Sequence, residues 1–378
     1  MKILASLMSV ACAVCIPIAA QAADPILLGV SAPYSGPAAM AAERERWGID
    51  LAVEEINAAG GVLGRPLELV AEDNRCNPSE AVNVANRLVS EKVVAIIGAH
   101  CSSAGLATMP IIKEAGIPLV SGVASSPNIT ELSGVGGNEW AFRINPSDAA
   151  MMRTLVSYLG EKKLFGSVAI IAEDTDFGRG GANAFEPLAM EAGIEVLSKD
   201  FVPQNTPDFT PVLTRVSRSK PDAIALFQLG GDQINMLRNA MQLGLKIPYT
   251  GRAELGGENM QIIKAGGMEG SVSAWSYSPE IDDPKNKALA EKIMAKHDLL
   301  PVLQTWAGYD SVRIIAQAIE DAGSADPAAI RDALAKLTFK TVMGPEVSFD
   351  DHNQAGRIVI IQGVKDNKVE ILEVVDAK

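Results

Sequence analysis

The sequence predicts an α/β protein of two lobes, each a doubly wound parallel sheet. Three observations carry that prediction. Short apolar runs alternate with amphipathic stretches along the whole chain. The runs are continuous and rich in Val, Ile and Leu, as in strands covered by helices on both faces. The rhythm then restarts after Asn145-Pro146, giving two βαβα arrays of similar size without a close sequence repeat.

In the first array, residues 26–31 form a strand and 39–59 a long helix that stops at Gly60-Gly61. Residues 66–72 form the next strand, and 78–91 a helix opened by Pro78 and capped by Asn77. A buried strand at 93–98, a helix at 103–115 and a strand at 117–122 complete the array. The second array reads as strands at 167–173, 195–201, 222–227 and 248–251, separated by helices at 177–192, 209–219 and 233–243. The last third differs: helices at 284–297, 305–322 and 327–337, then strands at 346–349, 357–362 and 369–374.

Residues 1–22 read as an export signal. Lys2 supplies the positive end, Ile3 to Ala19 a mostly apolar core, and Ala20-Gln21-Ala22 the cleavage site. Neither Cys12 nor Cys15 follows a good lipobox. The apolar core is too short for a stable membrane anchor. Cleavage leaves about 356 residues, a length that suits two domains, and moves the formal charge from -13 to -14 with the loss of Lys2. So acidic a chain is a poor candidate for nucleic acid, whose affinity rests on Lys and Arg, and for anionic membranes. With 5% aromatic and 21% charged residues, it has the composition of an ordinary globular protein.

The residues that could carry catalysis are sparse. His100, His297 and His352 lie far apart, and no H-E-x-x-H occurs, so neither a metal site nor a cofactor is expected. G-x-S-x-G is absent, which removes the local signature of a serine hydrolase and argues against an exported hydrolase. Gly134–Gly137 and Gly178–Gly181 lack the strand–helix context of a phosphate loop and read as turns. Asp282-Asp283 precedes Pro284 and reads as a solvated helix start. In an exported chain, the even pair Cys76 and Cys101 reads as a structural disulfide rather than a thiol nucleophile beside His100.

Ligands of open parallel sheets bind outside the carboxyl ends of the strands. There the sequence places Cys101-Ser102-Ser103 and Ala124-Ser125-Ser126 in the first array. Short hydroxyls and free N–H groups at a helix start suit a carboxylate, although the same serines could merely cap helices or loops. In the second array the corresponding positions are Phe177, Leu229-Gly230 and Glu254. A carboxylate there, facing the serines, would suit an ammonium group; a lone glutamate is usually a surface residue in a Gly-rich loop.

Over essentially its whole mature length the chain resembles the periplasmic Leu/Ile/Val-binding proteins of branched-chain amino-acid ABC transporters. The resemblance is carried by VSAPYSGPAA, by GIDLAVEEINAAGGVLGRPLELVAEDNRCNPSEAVNVANRLV, by IIGAHCSS and by GIPLVSGVASSPNITE. The spacing of Cys76 and Cys101, with serine after the second, also matches. It implies the type I periplasmic-binding-protein fold, with three hinge crossings near residues 142–146, 274–278 and 352–356. The implied lobes are 23–143 with 276–352 and 144–275 with 353–378. It further implies a monomer in the periplasm that captures an amino acid and delivers it to a permease with its ATPase subunits. By matching motifs, Ser102 and Ser125 hold the ligand carboxylate, assisted by the Val123 backbone, and Phe177 covers the ligand from the second lobe. The acidic residue for the α-ammonium aligns with Ala253 by ungapped counting and with Glu254 after a one-residue shift. Ala41 stands where relatives often carry an aromatic, and Gln304 falls near another side-chain-pocket position. These departures leave room for other ligands, including small aromatic or aliphatic carboxylates and amides.

Overall fold

A computed structural model describes residues 24–377. The export signal, with Cys12 and Cys15, lies outside the described residues. Among the described residues no helix is long and apolar enough to cross a membrane.

The first half of the chain runs β1 (Ile26–Ala32), α1 (Ala39–Ala58), β2 (Leu67–Asp73), α2 (Pro78–Ser90), β3 (Ala95–Gly98), α3 (Ser102–Ala115), β4 (Leu119–Ser121), α4 (Pro127–Leu132) and β5 (Ala141–Arg143). Its five strands form one sheet, in the order β2-β1-β3-β4-β5 with every pair parallel. Asn77 caps α2 by accepting the Glu80 N–H, and Pro78 occupies the first turn, where its missing N–H costs nothing.

The second array follows as α5 (Asp148–Lys162), β6 (Ser167–Glu173), α6 (Asp176–Glu191), β7 (Glu195–Val202), α7 (Thr210–Ser219), β8 (Ala223–Phe227), α8 (Gly230–Gln242) and β9 (Tyr249–Gly251). It forms a parallel sheet ordered β7-β6-β8-β9. Helix α5 and the short elements α4 and β5 are absent from the sequence reading. Strand β5 has only three residues, too few for a periodic signal, and it falls in the stretch read as a crossing.

The rest comprises α9 (Met260–Lys264), β10 (Val272–Trp275), α10 (Pro284–His297), α11 (Leu303–Ala322), α12 (Pro327–Leu334), β11 (Thr338–Lys340), β12 (Glu346–Ser348), β13 (Ile358–Lys365) and β14 (Lys368–Asp376). It divides between the two sheets. Val312, Ile315 and Ile319 of α11 share a buried cluster with Ile49 and Ala52 of α1 and with the first sheet. Strands β10, β13 and β14 form an antiparallel sheet whose Val272, Ala274, Val359 and Ile361 pack with α5 and β6.

The chain passes three times between these halves, and polar side chains tie the passages together. Buried Arg143 donates from Nε to Gln354 Oε1 at 2.6 Å and from Nη1 to the Ser126 carbonyl at 2.8 Å. Gln354 Nε2 donates to the Asn145 carbonyl at 2.7 Å, and Ser276 Oγ donates to Asn145 Oδ1 at 2.6 Å. Residues from all three passages thus meet at Asn145. Burial lowers the Arg143 pKa to about 10, against the pull of Asp148 and Asp350.

Candidate functional site

One wall of the inter-sheet cleft is built on the loops after β2, β3 and β4. Asn74 is fully buried; its Nδ2 donates to Ser31 Oγ at 3.0 Å and its Oδ1 accepts the Cys76 N–H at 2.9 Å. This anchors a turn in which Arg75 and Cys76 both take positive φ, 54° and 53°. Cys76 is disulfide-bonded to Cys101, with Cα atoms 5.4 Å apart. Cys101 is extended and sits directly before α3, so Ser102 is the first helical residue and the open N–H groups of the first turn face the cleft.

The two serines do different things. Ser102 Oγ accepts the Ser126 N–H at 3.2 Å, which leaves its own proton for a ligand oxygen. Ser125, expected to turn its hydroxyl to a ligand carboxylate, donates instead to Asp148 Oδ2 at 3.0 Å, and the Asp148 N–H returns a bond to the Ser125 carbonyl at 2.8 Å. Asp148 is fully buried; burial raises its pKa to about 6, opposed by Arg252, Ser125 and Arg143. A buried carboxyl takes the nearest donor, so in this arrangement Ser125 offers the cleft its lone pairs. Between the serines, the Val123 carbonyl accepts from Asn145 Nδ2 at 2.7 Å.

The facing wall comes from the second sheet. Phe177 lies in the first turn of α6, which Thr175 caps through the Gly178 N–H. Leu229 precedes α8, and its N–H donates to Glu173 Oε2 at 3.0 Å. Burial is the main reason the Glu173 pKa rises to about 7. Glu254 follows β9, and its backbone is held at both ends: the N–H donates to Gln233 Oε1 at 2.9 Å and the carbonyl accepts from Asn259 Nδ2 at 2.9 Å. Gly257 makes room for its carboxyl, since a Cβ there would stand 2.4 Å from Glu254 Oε1. Burial, then the neighbouring Glu258, push the Glu254 pKa up to about 8, against Arg44 and Arg252. Ala253 is buried in the hydrophobic core of this half, whereas Glu254 lines the cavity.

The structure brings Ser102, Val123, Ser125, Phe177, Leu229, Glu254 and Gln304 to one cavity of about 590 Å³ of unfilled space, part of it open to solvent. Ala41 lines it too, so the missing aromatic leaves room there. Sequence reasoning missed Gln228, Gln233, Arg252 and Trp275. Gln228 follows β8 directly, so the strand-end rule that found Leu229 could have found it. Arg252 follows β9 in the same way; its guanidinium lies over the Trp275 ring, 4.5 Å from the centroid, with Nε 3.5 Å from Asp148 Oδ1. Burial lowers its pKa, against Asp148 and Glu254. Trp275 ends β10, in a stretch read as a crossing. His100 also lines the cavity, but its Nδ1 sits 2.6 Å from Glu45 Oε2 in a buried pair.

Residues 25–368 match the sequence pattern of the family described as "Periplasmic binding protein". The chain belongs to the periplasmic binding protein family. It is a solute-binding protein of that family and not an enzyme. The Leucine-, isoleucine-, valine-, threonine-, and alanine-binding protein of Pseudomonas aeruginosa is 30% identical over 334 residues, 88% of this chain and 87% of its own. The branched-chain amino acid transporter substrate binding protein of Streptococcus pneumoniae, solved in complex with isoleucine, superposes with a TM-score of 0.83 at 27% identity, over 93% of this chain and 99% of that one. A solute binding protein of an ABC transporter from R. palustris, solved in complex with benzoate, superposes with a TM-score of 0.84 at 21% identity, over 93% and 96% of the two chains, a likeness of fold. The two parallel sheets are those of the type I periplasmic binding proteins.

Proposed function

We propose that this periplasmic binding protein is exported by its N-terminal signal and captures an amino acid, branched-chain or related, for an ABC importer. One observation carries the reading. A helix N-terminus with a free Ser102 hydroxyl on one wall faces an acidic side chain, Glu254, on the other, across a single cavity. The first arrangement suits an α-carboxylate and the second an α-ammonium. The amino-acid complexes of similar proteins support it. In this reading residues 23–143 with 276–352 form one lobe and 144–275 with 353–378 the other, and they close over the ligand about the Asn145 crossings. Ser102 and the N–H groups at the start of α3 hold the carboxylate end of the ligand, Glu254 with the Ser125 and Val123 oxygens holds the ammonium end, and Phe177, Leu229 and Gln304 enclose it. The loaded protein hands its cargo to a permease served by ATPase subunits.

The test is a thermal-shift screen of the ligand-stripped mature chain against the twenty amino acids and a set of small carboxylates, including benzoate. A ligand at 100 times its Kd raises stability by about 2.7 kcal/mol, a readily measured rise in Tm. Silence for all twenty amino acids, with a response to a simple carboxylate, sinks the amino-acid reading.

A further inference from the structure

Gln228 is 3% exposed and lines the cavity directly after β8, yet among the described residues neither its amide nitrogen nor its amide oxygen has a hydrogen-bond partner. A carboxamide carries two donor hydrogens and an acceptor oxygen, and buried polar groups of this kind are nearly always met. The nearby Gln233 amide accepts at its oxygen from the Glu254 N–H and Asn259 Nδ2 and turns its nitrogen to the Gln228 and Arg252 backbone carbonyls, so it does not satisfy the Gln228 side chain. Gln304 brings a second carboxamide to the same cavity from the start of α11.

We propose, building on the amino-acid reading above, that Gln228 recognises the ligand's side chain, and that the preferred ligand carries a neutral carboxamide side chain rather than a branched aliphatic one. An aliphatic group would seal Gln228 from water without meeting either of its polar atoms. Leaving one such group unmet disfavours a ligand by roughly ten- to a hundredfold. A site built to hydrogen-bond a polar substrate group rejects analogues lacking it more strongly than an apolar site rejects a missing methylene. Charge separates amide from acid. Arg252, a cation in the lining, already faces Asp148 and lies over Trp275, while Glu254 lines the cavity and Glu173 holds the Leu229 N–H beside Gln228. A second carboxylate on the ligand would therefore enter beside Glu254 and Glu173, where Arg252 is already shared with Asp148 and Arg44 with Glu254.

The test is isothermal titration of the ligand-stripped mature chain with glutamine, asparagine, glutamate, leucine and isoleucine. Glutamine or asparagine should bind at least tenfold more tightly than leucine, and more tightly than glutamate. Gln228→Leu should weaken glutamine binding tenfold or more while leaving leucine unchanged or improved. Gln228→Met, nearly the same volume, serves if the first variant loses its cooperative thermal transition. Leucine binding as tightly as glutamine, or a Gln228 variant that shifts neither, overturns the inference and leaves the amino-acid reading standing. Failure of every amino acid to bind overturns both.

Discussion

If Glu254 pairs the ligand ammonium, binding is coupled to loss of a proton. Burial and Glu258 raise its carboxyl pKa to about 8, so the ionised form that an ammonium needs is a minority at neutral pH. The ionised fraction is about 1% at pH 6, about 9% at pH 7 and about half at pH 8, and apparent affinity scales with that competent fraction. The Kd should therefore fall about ninefold from pH 6 to 7 and about fivefold from pH 7 to 8. Near pH 7 about 0.9 proton should leave per ligand bound. Calorimetry in two buffers of different ionisation enthalpy measures that proton directly. Glu254→Gln keeps the shape but cannot ionise, so its Kd should lose most of this pH dependence and be weaker by roughly 2 kcal/mol or more at pH 8. Asp148 and Glu173, raised to about 6 and about 7, titrate in the same range, and the variant separates their contribution from that of Glu254. Stability of the ligand-free chain has the opposite sign. A carboxyl raised from 4.5 to about 8 favours the fold below its unfolded value and loses that contribution as pH rises through the folded one. The ligand-free Tm should thus fall between pH 5 and 8, and less so in Glu254→Gln. A Kd constant from pH 6 to 8, with no proton released, refutes the assignment of Glu254 to the ammonium.

The remaining expectations concern the frame of the site. Reducing Cys76–Cys101, which spans 25 residues, should cost on the order of 3.5 kcal/mol in the chain-entropy model, read by urea denaturation with and without reductant. Equal midpoints would show that Asn74 and its neighbours hold the loop unaided. In Gly231→Ala, the new Cβ at the start of α8 would lie 2.7 Å from the Pro37 carbonyl oxygen, a contact between the second-sheet helix and the loop before α1. If that contact forms on closure, ligand affinity should drop roughly tenfold or more with little change in the ligand-free Tm, since overpacking costs about 1–3 kcal/mol. Unchanged affinity would place the contact outside the closing motion.

Much of the site was legible because strand ends are legible. The runs before Cys101, Ala124, Phe177 and Leu229 are largely apolar, so their ends stand out, and ligands of parallel sheets gather there. The family resemblance then sorted those ends into carboxylate and ammonium sides, leaving Ala253 and Glu254 unresolved because one inserted residue shifts the count. Burial distinguishes them: Ala253 joins the apolar core, and Gly257 leaves space for the Glu254 carboxyl. Gln228 and Arg252 stood at equally visible ends but matched no family motif. Their significance appears only when an amide without partners and a cation stacked on Trp275 are seen in one cavity.

The amino-acid sequence by itself determined the alternation of strands and helices, the two parallel arrays, the pairing of Cys76 with Cys101 and the family to which these belong. All of these are written in local pattern or in motifs a few tens of residues long. Only the tertiary structure decided that Ser125 gives its proton to Asp148, that three distant crossings meet at Asn145, and that the buried Gln228 side chain has no partner among the described residues. Those outcomes depend on which side chains, some more than two hundred positions apart, compete for the same donors and the same space, and no local pattern records that competition.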